Sequence, residues 1–307
     1  MYIEGSPAGL PSLEKKQSVM IKDSELVLSP DGSLYHIHLT GETLADNVIL
    51  VGDPGRVEMF KQLMDSISYE SYNREMHAVT GTYHRSPLTV LSTGMGCDNI
   101  DIVMSELDAA ANIDLQSRQP RQEHRSLRIV RIGTCGSLQA EVGVGSLVAS
   151  RYVVGLDGLL NYYAHEASQL EEGMAQAFAG HVRFPGNWAK PYCASASKEL
   201  FDRVGEGMVP VITATAPGFY APQGRHLRIA PAVADLNEQL SSFAWDGLKL
   251  VNLEMETSAI YGLSSVMGHQ ALTVCLVIAN RPTGTFLNDY HDQMRGAITR
   301  VLDALCR

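Results

Sequence analysis

Cysteine is scarce and unpatterned in this chain. Five residues, Cys97, Cys135, Cys193, Cys275 and Cys306, are spread over 307 positions with no CxxC pair and no zinc-like His/Cys spacing. That excludes a disulfide framework and a zinc knuckle, and it fits a reducing compartment. Basic charge is in deficit, with a net charge of -10. Such a surface repels a phosphate backbone and argues against an extended nucleic-acid site, although a local basic pocket can still hold a small anion. Long apolar runs are missing too. None reaches the roughly 18 residues of a membrane span, and the first residues carry no apolar core behind positive charge, so neither a membrane segment nor a secretory signal is expected. The expected location is cytoplasmic.

What remains is an alternation. Residues 1–33 are polar and rich in Gly, Pro, Ser and Lys, which predicts an N-terminal extension outside the core that either stays mobile or drapes over the domain. From 34 to 307 short Val/Ile/Leu runs alternate with amphipathic stretches. Runs at 47–51, 88–92, 127–132, 146–154, 209–213, 248–252 and 273–279 read as strands buried on both faces. Stretches at 56–67, 99–113, 167–182, 255–267 and 291–305 read as helices. The prediction is an α/β fold, a single domain with a central mixed, largely parallel β-sheet flanked by helices. A polar segment at 115–128 with four arginines interrupts it and reads as a solvated surface insertion, with an anion or partner site as the alternative.

Several strands end in residues suited to ligands, which open α/β sheets bind at their carboxyl ends. In VGDPGR, Gly52 permits close backbone approach and a helix follows at once, so free amides and Arg56 can meet an anion; a plain turn is the alternative. In RIVRIGTCG, Arg131 sits deep in an apolar strand and needs an anionic partner, either a structural carboxylate or a substrate phosphate near Thr134. In NLEMET, Glu254 and Glu256 flank Met255. Helix capping accounts for one carboxylate, and a sugar diol suits the other. In FYAPQGR, Gln223 and Arg225 offer a planar amide and a rigid fork of donors, a match to the imide edge of a uracil ring, beside Phe219; an ordinary surface loop with two polar residues is the alternative. Arg281 ends the last apolar strand. His36 and His38 share one face of an expected strand, where packing or a hydroxyl contact is favoured over a metal pair.

These strings occur in an order that resembles the nucleoside phosphorylase family, in particular its uridine-specific branch. GDPGRVE, STGMG, RIGTCG, FYAPQGR and NLEMET carry the resemblance, which runs from about Tyr35 to the C-terminus. It implies reversible phosphorolysis of uridine to uracil and ribose 1-phosphate, with inorganic phosphate as co-substrate and no cofactor. By similarity phosphate meets Gly52, Arg56, Arg131, Thr134 and an Arg74 donated by a neighbouring subunit. The ribose meets Met255, Glu256 and a donated His36, and the base meets Phe219, Gln223, Arg225 and Arg281. The resemblance thus implies a homo-oligomer, at least a dimer, with shared active sites. A structural K⁺ or Ca²⁺ is implied at the dimer interface around Glu75, although Asn99 stands where the family has a Ser ligand. Relatives specific for purines place an Asp where Asn280 stands. Alternatives left open are a purine nucleoside phosphorylase or a nucleoside hydrolase of the same fold, and a non-catalytic nucleoside-binding subunit.

Overall fold

The computed structural model describes residues 20–306. Its elements in chain order are β1 (Asn47–Val51), α1 (Pro54–Lys61), β2 (Ser66–Asn73), β3 (Met76–Tyr83), β4 (Ser86–Ser92), α2 (Cys97–Asn112), β5 (Ile113–Asp114), β6 (Gln119–Pro120), β7 (Arg128–Ser137), β8 (Leu147–Gly155) and α3 (Gln169–His181). There follow β9 (Tyr192–Ser195), α4 (Lys198–Val204), β10 (Val209–Thr215), α5 (Leu236–Ser241), β11 (Ala244–Trp245), β12 (Leu248–Glu254), α6 (Thr257–Met267), β13 (Gln270–Asn280), β14 (Thr285–Phe286) and α7 (His291–Cys306). Twelve strands make one mixed sheet ordered β11-β12-β10-β8-β13-β7-β1-β4-β3-β2, with β14 on β13 and β9 on β8. All seven expected strands lie in it. The pairs β7–β13, β1–β7, β1–β4, β8–β10 and β10–β12 are parallel, as continuous apolar strands buried on both faces require.

One further pairing shapes the site. The end of β7 turns onto β12 in antiparallel register, Ser137 opposite Asn252 and Gly136 opposite Leu253. The strands β7, β13, β8, β10 and β12 therefore close into a ring. A separate small core of Cys135, Val148, Val211, Val251, Cys275 and Val277 draws a residue from each of these five strands, the expected filling for a narrow barrel.

Two expectations need correction, and one strand was missed. The helix expected over 56–67 ends at Lys61, and 66–73 forms β2 instead. Its sequence SISYESYN carries the strand-favouring Ile67, Tyr69 and Tyr72, and it is held as a largely exposed strand by antiparallel pairing to β3. The neighbouring β3, almost wholly buried, was not anticipated. His36 and His38 share no strand face. The chain turns there, with the Glu106 carboxylate accepting from the amides of His36 and Ile37, and His38 adopts φ +53°.

The N-terminal segment and the insertion also act together. Within the expected extension, residues 1–19 lie outside the described residues, but Leu26 packs into the main core beside Leu34, and Leu28 bridges to Leu34. Instead of being only solvated, the 115–128 segment holds this stretch down. Arg118 donates to the Leu26 carbonyl (2.6 Å) and pairs with Asp23 (3.1 Å), Arg125 pairs with Asp46 (2.6 Å), and Arg128 donates to Asn47 (2.7 Å). Three of its four arginines are thus committed to the chain's own N-terminal segment and strand β1. Among the described residues no helix is long and apolar enough to cross a membrane.

Candidate active site

A cavity of about 510 Å³ opens where β1, β7, β12 and β13 end, the position at which α/β sheets bind ligands. Along one wall lies a cluster of cations. Asp53 caps α1 by accepting from the Gly55 amide (2.8 Å), and Arg56 in the first turn reaches under the sheet to donate to the Ile132 carbonyl (3.2 Å). Burial, followed by repulsion from Arg131, lowers the pKa of Arg56. Two guanidinium groups that repel one another at the mouth of a helix N-terminus, with Gly52 and half-buried Thr134 beside them, are chemically suited to hold an anion.

Arg131 is only 5% exposed. Burial opposes its charge, but Glu256 and then Glu254 outweigh it and raise its pKa. Its Nη2 pairs with Glu256, its Nη1 lies 3.6 Å from Glu254, and its buried Nε has no hydrogen-bond partner. The two readings of Arg131 left open by the sequence are therefore not exclusive: it has structural carboxylates and also lines the cavity. Its side chain folds over Gly133, two residues on and on the same strand face. A Cβ at Gly133 would sit 2.0 Å from the Arg131 guanidinium. Gly133→Ala is expected to keep the strand but push Arg131 aside, weakening phosphate binding by about tenfold or more; isothermal titration with phosphate, beside a melting curve, checks it.

The two carboxylates of NLEMET divide their work. Glu254 accepts from the amides of Glu256 and Thr257 (2.9 Å each) and from Thr215 Oγ1 (2.5 Å), so it caps α6. Burial raises its pKa, with Glu256 adding to the effect and Arg131 opposing it. Glu256 accepts from the Gly96 amide (2.9 Å) and from Arg131, beside Met255 on the cavity wall.

Opposite lies the FYAPQGR loop. A short 3-10 turn, Ala221–Gln223, ends at Gly224 with φ +68°, a conformation that glycine adopts without strain. This reversal brings Gln223 and Arg225 together. Gln223 is 3% exposed, and its amide oxygen accepts from Arg225 (2.6 Å) and Arg281 (3.3 Å). Both guanidinium groups therefore fix the amide plane. Arg225 also stacks on the Phe219 ring at 3.6 Å. Burial, with repulsion from Arg281, pushes the Arg225 pKa down to about 10, so it is still a cation at neutral pH.

Gly52, Arg56, Arg131, Thr134, Phe219, Gln223, Arg225, Met255, Glu256 and Glu75 all line this one cavity, and Arg281 contacts it through Gln223. His36 and Arg74 do not line it. They lie near each other, because Asn73 Nδ2 donates to the carbonyls of Tyr35 (2.9 Å) and His36 (3.0 Å) and so pins the His36 turn beside Arg74, which is exposed in the β2–β3 turn at φ +55°. Asn280 is buried, its Nδ2 donating to the Gln139 and Val142 carbonyls (2.9 and 3.0 Å). Sequence reasoning gave no role to Gly94, Met95, Ile278 or Phe286, which also line the cavity. The STGMG string was the signal for the first two; nothing local marks the last two.

Among the described residues, two side-chain groups elsewhere have metal-like composition, and neither offers an open donor set. In Asp108, His124 and His269, the His269 Nδ1 already accepts from the Leu127 amide (3.2 Å), which leaves the ring proton on the nitrogen facing Asp108. In Glu58, Glu70 and His77, the Lys61 ammonium already supplies the cation at 2.6 Å from Glu70. Glu75, the expected cation ligand, accepts from Asn99 (3.0 Å). Cys135 lines the cavity, but burial raises its pKa well above the ordinary value, the opposite of an activated nucleophile.

Comparison with known proteins agrees with this fold. The family model "Phosphorylase superfamily" matches residues 46–307. The chain is 30% identical to the uridine phosphorylase of Thermococcus kodakarensis, over 83% of this chain and 80% of that one. It is 28% identical to the Haemophilus influenzae uridine phosphorylase, over 81% and 86%. Among solved structures, the Trypanosoma brucei nucleoside phosphorylase, described as showing uridine phosphorylase activity, superposes with a TM-score of 0.82 at 30% identity, covering 92% of this chain and 98% of that one. The anion pocket, the carboxylate wall and the Gln–Arg loop thus sit on a scaffold of matching extent, and the chain belongs to the phosphorylase superfamily.

Proposed function

We propose that this protein catalyses the reversible phosphorolysis of uridine to uracil and ribose 1-phosphate. The observation that carries the reading is the Gln223 amide, clamped through its oxygen by Arg225 and Arg281 across the cavity from Arg56 and Arg131. A planar, donor-rich wall facing an anion pocket suits a reaction whose base departs with negative charge while a phosphate attacks the sugar. The C1′–N1 bond breaks with its electrons on the base, a phosphate oxygen forms the new bond to C1′, and the uracil anion then takes a proton. Arg56 and Arg131 hold the phosphate beneath C1′. Its negative charge stabilises the oxocarbenium-like sugar, and Gln223, Arg225 and Arg281 stabilise the leaving base. Glu256 and Met255 hold the ribose. No protein nucleophile and no cofactor enters.

In this reading Arg74 and His36 act on a neighbouring copy, at its phosphate and its ribose 5′-hydroxyl, which makes the working unit at least a dimer. Their absence from the lining of their own cavity, with the His36 turn pinned to Asn73 next to Arg74, supports it. Glu75 is the proposed ligand of an interface K⁺ or Ca²⁺, and the cytoplasm is the proposed location.

The test is an absorbance assay with uridine, thymidine and inosine, each with and without phosphate. Phosphate-dependent release of uracil is the expected result. Faster release from inosine would make the enzyme a purine phosphorylase, free ribose without phosphate would make it a hydrolase, and tight uridine binding without release would make it a binding subunit.

A further inference from the structure

Resting on the phosphorolysis reading, we propose that Glu106 is a positioning residue for the neighbouring copy's ribose: it orients the His36 ring and fixes its proton, and so sets this enzyme's preference for nucleosides that carry a 5′-hydroxyl. Glu106 stands in the middle of α2, where Val103, Leu107 and Ala110 are fully buried and hold the helix against the core. Its side chain is only 14% exposed, and both oxygens turn to a stretch of chain 70 residues earlier. Oε2 accepts from the amides of His36 (3.0 Å) and Ile37 (2.9 Å), and Oε1 meets His36 Nδ1 at 2.5 Å. The backbone does not need that last contact. Buried Leu34, Ile37 and Leu39, together with Asn73 on the Tyr35 and His36 carbonyls, already place the turn.

Oε1 acts on the ring instead. A carboxylate only accepts, so the imidazole carries a proton on Nδ1 and turns Nε2 away from Glu106. Among the described residues Nε2 has no hydrogen-bond partner, on a ring that is 27% exposed and flanked edge-on by Tyr35 at 4.9 Å. That nitrogen is open to a group from outside its own chain. A carboxylate behind Nδ1 makes the opposite nitrogen more basic, as in the carboxylate-backed imidazoles of metal and hydrolase sites, so a 5′-hydroxyl that donates to it meets a strong acceptor in a fixed direction. When the ring takes a second proton, the same carboxylate holds the cation and Nε2 becomes a charged donor to the hydroxyl oxygen. Glu106→Gln separates the ring from the turn. Its amide oxygen can still accept from the His36 and Ile37 amides, while its amino group, facing Nδ1, donates and drives the ring proton to Nε2.

Steady-state phosphorolysis by the full chain, with uridine and 5′-deoxyuridine at saturating phosphate, tests this. Wild type is expected to prefer uridine in kcat/KM by about tenfold or more, and Glu106→Gln to lose most of that preference through uridine alone, by about five- to tenfold, the usual worth of one good hydrogen bond. In a His36→Ala background the same change should add nothing, a coupling that a glutamate of merely structural role does not give. Nitrogen-15 spectra of the wild-type His36 ring should show Nδ1 protonated. The proposal is overturned if wild type does not distinguish the two substrates, if Glu106→Gln lowers turnover of both alike, if its effect persists in full without His36, or if Nδ1 carries no proton. Should the variant fail to fold, the wild-type substrate ratio and the His36 spectrum still decide. Wild-type protein that releases no uracil from either substrate in the presence of phosphate overturns the phosphorolysis reading itself.

Discussion

Arg131→Ala is expected to abolish measurable phosphate binding at concentrations that saturate the wild type, and to lower phosphorolysis by about 100- to 1000-fold, the usual cost of removing a charged contact to the reacting anion. The same change should destabilise the protein. Arg131 lies between Glu254 and Glu256, and its loss leaves two buried carboxylates without their cation. Breaking a buried pair from one side costs about 3 to 5 kcal/mol, and Glu254, its pKa already raised by burial, should then protonate. Calorimetry with phosphate and thermal melting together check both parts. A variant that melts lower but binds phosphate as the wild type does would reduce Arg131 to a structural cation.

Arg225→Ala should act on the other side of the reaction. Arg225 donates to Gln223 Oε1 at 2.6 Å and covers the Phe219 ring, while Arg281 is a weaker second donor at 3.3 Å. Without it, the developing charge on the leaving base loses a cation, and the Gln223 amide is held from one side only. Loss of about 2 to 4 kcal/mol of transition-state stabilisation is expected, or roughly 30- to 1000-fold in kcat/KM for uridine. Phosphate affinity should scarcely change, because Arg56 and Arg131 lie across the cavity. The loop is partly exposed, so little effect on melting is expected. Turnover of uridine equal to wild type would remove Arg225 from the reaction.

Much of this was legible in the chain because each motif sits where a strand ends. A guanidinium inside an apolar strand, as in RIVRIG, has few stable solutions, and Arg131 has its carboxylate partner while it also lines the cavity. The Gln223–Arg225 pair was legible because a two-residue spacing around Gly224 can be closed by a tight turn. What escaped depended on partners far along the chain. The β2 strand carries no strong apolar face, and only its pairing with the buried β3 defines it. The clasp of 115–128 on residues 23–47 joins arginines to carbonyls and an Asn that no local pattern marks. Ile278 and Phe286 reach the cavity through the turn that folds β14 back on β13, a matter of hairpin geometry.

The turn of β7 onto β12 makes the residue count between Arg131 and Ser137, and between Asn252 and Glu256, a fixed dimension of the molecule. Adding or deleting a single residue in either span would rotate the following side chains to the opposite face. Oxyanion and sugar contacts would then fail together, even if the rest of the sheet assembled. Changes of length are best absorbed by segments outside the closed ring, such as the loop around Gln223 and the turn between β13 and β14, which leave the ruler beneath undisturbed.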